Sequence, residues 1–278
     1  MIKLRNLTQR YPIVFAVVLT VAVEAICRFF NFFIAFIPDL YVANIVSKFV
    51  HMLWPVALTL VLGYGFVLKE KGFGKTLKVG LGFVGFYTFV VLAAVYAALD
   101  KPDVVWQTWD RILLGFVTLF GIGLREDLLF RGVIGSAMGL KYAKTSKGIW
   151  LTLAVSSVTF GLLHFFNISY GVSFGAACVQ VLGATAIGAV FGAIYLRGGN
   201  IWVPILIHAV VDFAGLFEST FIANAATDVD KINQLSATGL LISIPVEILL
   251  VVFLLRKSKH AEILERMETL RGKYGIAE

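Results

Sequence analysis

Charge is scarce in this chain: 15% of its 278 residues are Asp, Glu, Lys or Arg, where soluble domains run near one-quarter. Cysteine is scarcer. Cys27 and Cys178 each stand alone in an apolar run, which excludes a disulfide framework or cysteine-spaced metal site and makes both expected core- or lipid-facing small residues. Proline is limited to 6 residues. No low-complexity linker or internal repeat divides the chain, so one domain is expected over 1–278. The net charge of +7 sits in short polar breaks, so nucleic acid is a poor partner. What is abundant is apolar: 59% of residues are hydrophobic and the mean hydropathy is +0.88. A bilayer core takes about 20 apolar residues as helix, and such stretches recur throughout.

These stretches fall near 12–37, 44–68, 79–99, 111–136, 149–166, 172–196, 201–217 and 238–255. They predict an all-α integral membrane protein of about eight transmembrane helices. Lys3, Arg5 and Arg10 before the first run imitate a secretory signal, but that run is too long and lacks a small-residue cleavage site. It reads as an uncleaved span. With the N-terminus inside, the inner segments hold seventeen basic residues, six of them between Arg256 and Lys273. The outer segments hold only Lys48, Lys101, Arg111 and Lys231. By the positive-inside rule both termini are expected in the cytoplasm. Glu24 and Arg28 are spaced as a helical ion pair facing other helices. Gly171/Gly175 and Gly188/Gly192 are small-xxx-small spacings that let helices approach closely. The tail, 256–278, carries Ile263, Met267 and Leu270 at helical spacing among charges. It reads as a basic amphipathic cytoplasmic segment, either on the inner membrane surface or solvated.

An ionisable side chain at the bilayer centre costs about 2.5–3.5 kcal/mol, so such groups face a protein interior or a wet cavity. Here they gather in three spans: Arg125-Glu126-Asp127-Leu128-Leu129-Phe130-Arg131 in the fourth, Phe160 to His164 in the fifth, and His208 with Asp212 in the seventh. Asp127 and Arg131, four apart, can pair along the helix. Glu126 points elsewhere and lacks that partner, leaving its carboxylate freer. His208 and Asp212 repeat the four-residue spacing. A carboxylate and two imidazoles in low dielectric suit a hydrolase: the carboxylate takes a proton from water, a histidine orients the water or returns the proton, and the other polar pair stabilises an oxyanion. Glu126, His164, His208 and Asp212 could equally bind zinc or another divalent metal.

The ordered segments, Glu126-Asp127-x-x-x-Arg131, Phe160-x-x-x-His164 and His208-x-x-x-Asp212, resemble those of the CPBP intramembrane proteases. That family includes the type II CaaX prenyl endopeptidases and the bacterial Abi and bacteriocin-immunity proteins. The resemblance covers about residues 110–217. It implies an endopeptidase in which Glu126 and His164 activate water and His208 and Asp212 support the oxyanion, with Asp127, Arg131 and Phe160 as structural support. Family members have been read both as metalloproteases and as metal-free glutamate proteases. Asp127 replaces the usual second Glu, and Asp212 stands where many members have Asn. An anion is a poor oxyanion donor unless protonated or metal-bound.

Depth poses a question. Glu126 and His208 fall slightly to the cytoplasmic side of midplane, and His164 nearer the outer end of its span. Either the fifth helix sits deep, drawing the turn Asn167–Gly171 inward to line a wet cavity, or His164 lies outside the site. Two other functions use the same residues: a peptide-binding immunity or scaffold protein that does not cleave, and a proton-coupled transporter. The polar groups lie only in the second half, with no paired broken helices, which disfavours transport. The expected partners are membrane lipids and a peptide or membrane-protein substrate. The expected location is a bacterial cytoplasmic membrane.

Overall fold

The computed structural model describes residues 2–235 and 237–276. After a short amphipathic helix α1 (Ile2–Arg10), Pro12 opens α2 (Pro12–Ile34) from the first turn, where its missing N–H costs nothing. The Asp39 side chain accepts from the Tyr41 and Val42 amides and caps α3 (Leu40–Val61). Then come α4 (Phe73–Leu99), α5 (Trp109–Asp127), a π-helical segment Leu128–Ile134, and α6 (Gly135–Tyr142). Next are α7 (Ser146–Leu163), α8 (Phe174–Gly198), α9 (Trp202–Phe221), α10 (Asp228–Asn233), α11 (Ala237–Leu254) and α12 (His260–Tyr274). Thr145 and Ser173 side chains cap α7 and α8.

Among the described residues seven helices are long and apolar enough to cross a membrane: α2, α3, α4, α7 with its 3-10 extension, α8, α9 and α11. The protein is an all-α, multi-pass membrane protein. The remaining span of the sequence reading is the helical run 109–142, too charged to count on composition alone. Its charge is tolerated because it is the centre of the bundle. Every residue from Glu126 to Leu140 is buried, enclosed by α2, α3, α7 and α8.

Two local readings are corrected. The second span stops at Val61, not 68, because the chain turns at Gly63 (φ 82°) into a 3-10 turn, Gly65–Lys69. Gly171 and Gly175 do not bring helices together: Gly171 (φ 102°) ends the 3-10 segment His164–Tyr170, and nothing lies near Gly175. Gly188 and Gly192 do, since a Cβ at Gly188 would come 2.7 Å from the Phe160 ring and one at Gly192 2.7 Å from Leu153. The tail segment forms α12, one face of which packs on the bundle. In α12, Ile263 and Met267 are buried in the cluster of α7, α8 and α11, and Leu270 packs alongside.

Candidate active site

The site begins where α5 gives way to the π segment. A π turn shifts the backbone partner from i+4 to i+5 and is common where a side chain must be re-aimed. Here the Phe130 carbonyl accepts from the Gly135 amide and also from Ser156 Oγ of α7 at 2.8 Å, which leaves no orphaned acceptor. The turn holds Arg131 inward. Arg131 Nε stands 3.2 Å from Asp127 Oδ1, both side chains fully buried. Its guanidinium lies 4.0 Å over the Phe160 ring and 5.4 Å from that of Phe191. The expected Asp127–Arg131 pair is therefore present, and Phe160 supports it through a cation–π contact.

Two close helix crossings bring the motifs together. A Cβ on Gly123 would sit 2.7 Å from the Ile205 carbonyl oxygen and 3.4 Å from His208 Cβ, so α5 and α9 meet backbone to backbone beside the site. A Cβ on Gly161 would collide with the Thr185 hydroxyl, so α7 and α8 do the same beside Phe160. His208 then reaches across α5. Its Nδ1 is 2.7 Å from Asp127 Oδ2, while Nε2 lies 3.8 Å from Glu126 Oε2 and 3.6 Å from Asp212 Oδ1. His164 Nδ1 is 3.2 Å from the Phe160 carbonyl, and its ring meets Phe160 edge-on at 5.2 Å.

The expected partners of these groups need revision. Glu126 is not free of a cation: Arg125 Nη2 donates to its Oε1 at 2.8 Å. Asp127 is not only the mate of Arg131, because its second oxygen holds His208. His208 in turn is shared among Asp127, Glu126 and Asp212 rather than paired with Asp212 alone.

Glu126, His164, His208 and Asp212 all line one cavity of about 600 Å³. The question of depth is answered by the 3-10 segment: the helix tightens at His164, and Asn167 and Tyr170 line the same cavity. Glu24 is at its rim, bonded to Arg28 at 2.7 Å and accepting from the Tyr170 hydroxyl at 2.8 Å. The same helix, α2, and α3 add cavity residues given no role from sequence. His51 Nε2 meets Asn31 Oδ1 at 2.9 Å, and Cys27 Sγ is 4.0 Å from Arg125 Nη1. Three of the four histidines therefore face one cavity; His51 was detectable as an ionisable group in the second apolar run.

Zinc or another divalent ion suits these residue types but not their arrangement. Among the described residues no group of three His, Cys, Asp or Glu side chains is placed to hold a metal ion. Arg125 puts a guanidinium on Glu126 Oε1, and Asp127 engages His208 Nδ1.

Residues 108–214 match the family model described as type II CAAX prenyl endopeptidase Rce1-like. The resemblance carried by the three motifs holds. The matched segment contains all four candidate residues. No curated protein and no solved structure matches the chain.

Proposed function

We propose that the protein is an intramembrane endopeptidase that hydrolyses a peptide bond with a water activated by Glu126 and His164. The observation that carries this reading is the convergence of Glu126, His164, His208 and Asp212 on one cavity inside the Rce1-like segment. Arg125 occupies Glu126 Oε1, so Oε2 is the oxygen left to take a proton from water. The resulting hydroxide adds to the scissile carbonyl, with His164 orienting the water. His208 donates from Nδ1 to Asp127; the doubly protonated ring also donates from Nε2 to the carbonyl oxygen as it becomes an oxyanion. Collapse breaks the C–N bond, and the proton held by Glu126 passes to the leaving amine. Asp212, 3.6 Å from His208 Nε2, steadies that ring rather than meeting the oxyanion itself.

The test is cleavage of a farnesylated CaaX peptide by the full chain in proteoliposomes. Glu126→Gln and His164→Ala should each lower the rate by about 10²–10⁴. The double variant should be little worse, because groups acting as a unit are not additive. Undiminished cleavage by Glu126→Gln would overturn the mechanism. Binding of the peptide without cleavage by the wild-type chain would favour the scaffold or immunity reading.

A further inference from the structure

Helix α8 packs on both α4 and α11, and between those two runs a groove of about 600 Å³ at the end of the bundle remote from the α10 loop. Its upper edge is basic. Lys75 and Lys78 come from the first turns of α4, Arg197 from the last turn of α8, and Lys259 from the turn before α12. The one acid there, Glu262, is taken by Lys75 at 3.0 Å and Lys259 at 3.8 Å. Arg197 Nε is buried without a hydrogen-bond partner, and Lys78 is exposed with none among the described residues. Below this edge the walls are apolar: Val79 and Phe83 on one side, Leu250 and Phe253 on the other.

We infer that this groove is a binding site for one anionic phospholipid, its phosphate on Arg197 and Lys78 and its acyl chains along Phe83, Leu250 and Phe253. Charge complementarity selects the headgroup: four cations face a single, already paired carboxylate. An unpaired guanidinium nitrogen at a membrane edge gains from an anion that completes its hydrogen bonding. The apolar walls select a lipid over a free phosphate, which would leave them uncovered. Basic pockets between transmembrane helices are a recurrent headgroup site.

The site can be tested on the full chain in detergent, mixed with equal amounts of phosphatidylglycerol and phosphatidylcholine of identical acyl chains, reading retained lipid by native mass spectrometry. The wild type should retain phosphatidylglycerol preferentially. Lys78→Gln with Arg197→Gln should reduce that preference by about 5-fold per cation removed. Lys101→Gln, at the other end of the bundle, should leave it unchanged. Should the double variant not fold, salt titration of the wild type decides, since added NaCl should release phosphatidylglycerol and not phosphatidylcholine. The proposal is overturned by an unchanged preference in the double variant, by salt-insensitive retention, by equal loss in Lys101→Gln, or by displacement of the lipid by inorganic phosphate alone.

Discussion

Arg125 and Glu126 are chain neighbours, and side chains one apart on a helix do not ordinarily face each other. They meet because Arg125 is long enough to turn its Nη2 back to Glu126 Oε1, at 2.8 Å, within the cavity wall. The guanidinium fixes which carboxylate oxygen is left for chemistry through one charge-assisted bond, which an ammonium can replace in part. Arg125→Gln is therefore expected to lower kcat for peptide cleavage by about 10²-fold, the scale of a misplaced catalytic group, with little change in KM. Arg125→Lys should recover part of the loss. Equal damage to kcat and KM, or no rescue by Lys, would make Arg125 a packing residue. That Glu126, His164, His208 and Asp212 share one cavity was legible in the sequence because intramembrane charge is costly and their spacing within each motif is local. The sequence could not show Asp127 reaching His208, 81 residues away, since contacts between helices leave no periodic trace. For the same reason His51 and Cys27 passed without a role until the cavity joined them to Arg125.

At the scale of elements, two ion pairs hold different parts of the bundle, and each predicts a stability effect. Inside the bundle, Asp127 and Arg131 are fully buried as a pair. Removing Arg131 leaves Asp127 with only His208, so Arg131→Ala should destabilise the protein by about 3–5 kcal/mol, the usual cost of breaking a buried pair. Glu126→Gln should leave thermal stability close to wild type; the reverse order of stabilities would reassign the two carboxylates. Outside the membrane spans, α12 is docked by Arg266, which donates to Glu70, while the Tyr195 hydroxyl donates to Glu70 Oε2 at 2.6 Å. Burial pushes the Glu70 carboxyl up, opposed by the attraction of Arg266. Ionised Glu70 thus costs the fold at high pH, and that cost disappears as pH falls through its folded value. Arg266→Ala removes the opposing cation and raises Glu70 further. Its loss of Tm relative to wild type should be larger at pH ~8 than at pH ~5, and a pH-independent loss would show that Arg266 acts by packing alone. The amphipathic stripe of α12 announced a helix but not its partner, because Ile263, Met267 and Leu270 would look the same facing lipid or facing α7 and α8.

For the molecule as a whole, the segments sort to two ends by contacts made independently of any charge count. Gln9 Nε2 donates to the Tyr274 carbonyl at 3.0 Å, Lys141 Nζ to the Arg10 carbonyl at 2.8 Å, and Arg271 to the carbonyls of Leu140 and Ala143. Lys75 meets Glu262. The N-terminal helix, the start of α4, the 141–147 turn and the tail are therefore at one end. At the other, Lys101 and Lys231 both pair with Glu218, and Asn224 bonds the Asp103 carbonyl. This grouping is the one that alternating spans require, and it places the seventeen basic residues of the hydropathy-derived inner segments against the four of the outer ones. The bias sets the expected orientation: the basic end, with both termini, in the cytoplasm. A membrane-impermeant thiol reagent on intact cells, applied to single-cysteine variants in a background lacking Cys27 and Cys178, reads this directly. Cysteines placed at 100–105 and 223–227 should label from outside, whereas those at 69–72, 144–147 and 272–275 should label only after permeabilisation. Outside labelling at 144–147 with protection at 100–105 would invert the molecule in the membrane. Outside labelling at both would break the alternation itself, and with it the reading of 109–142 as a span.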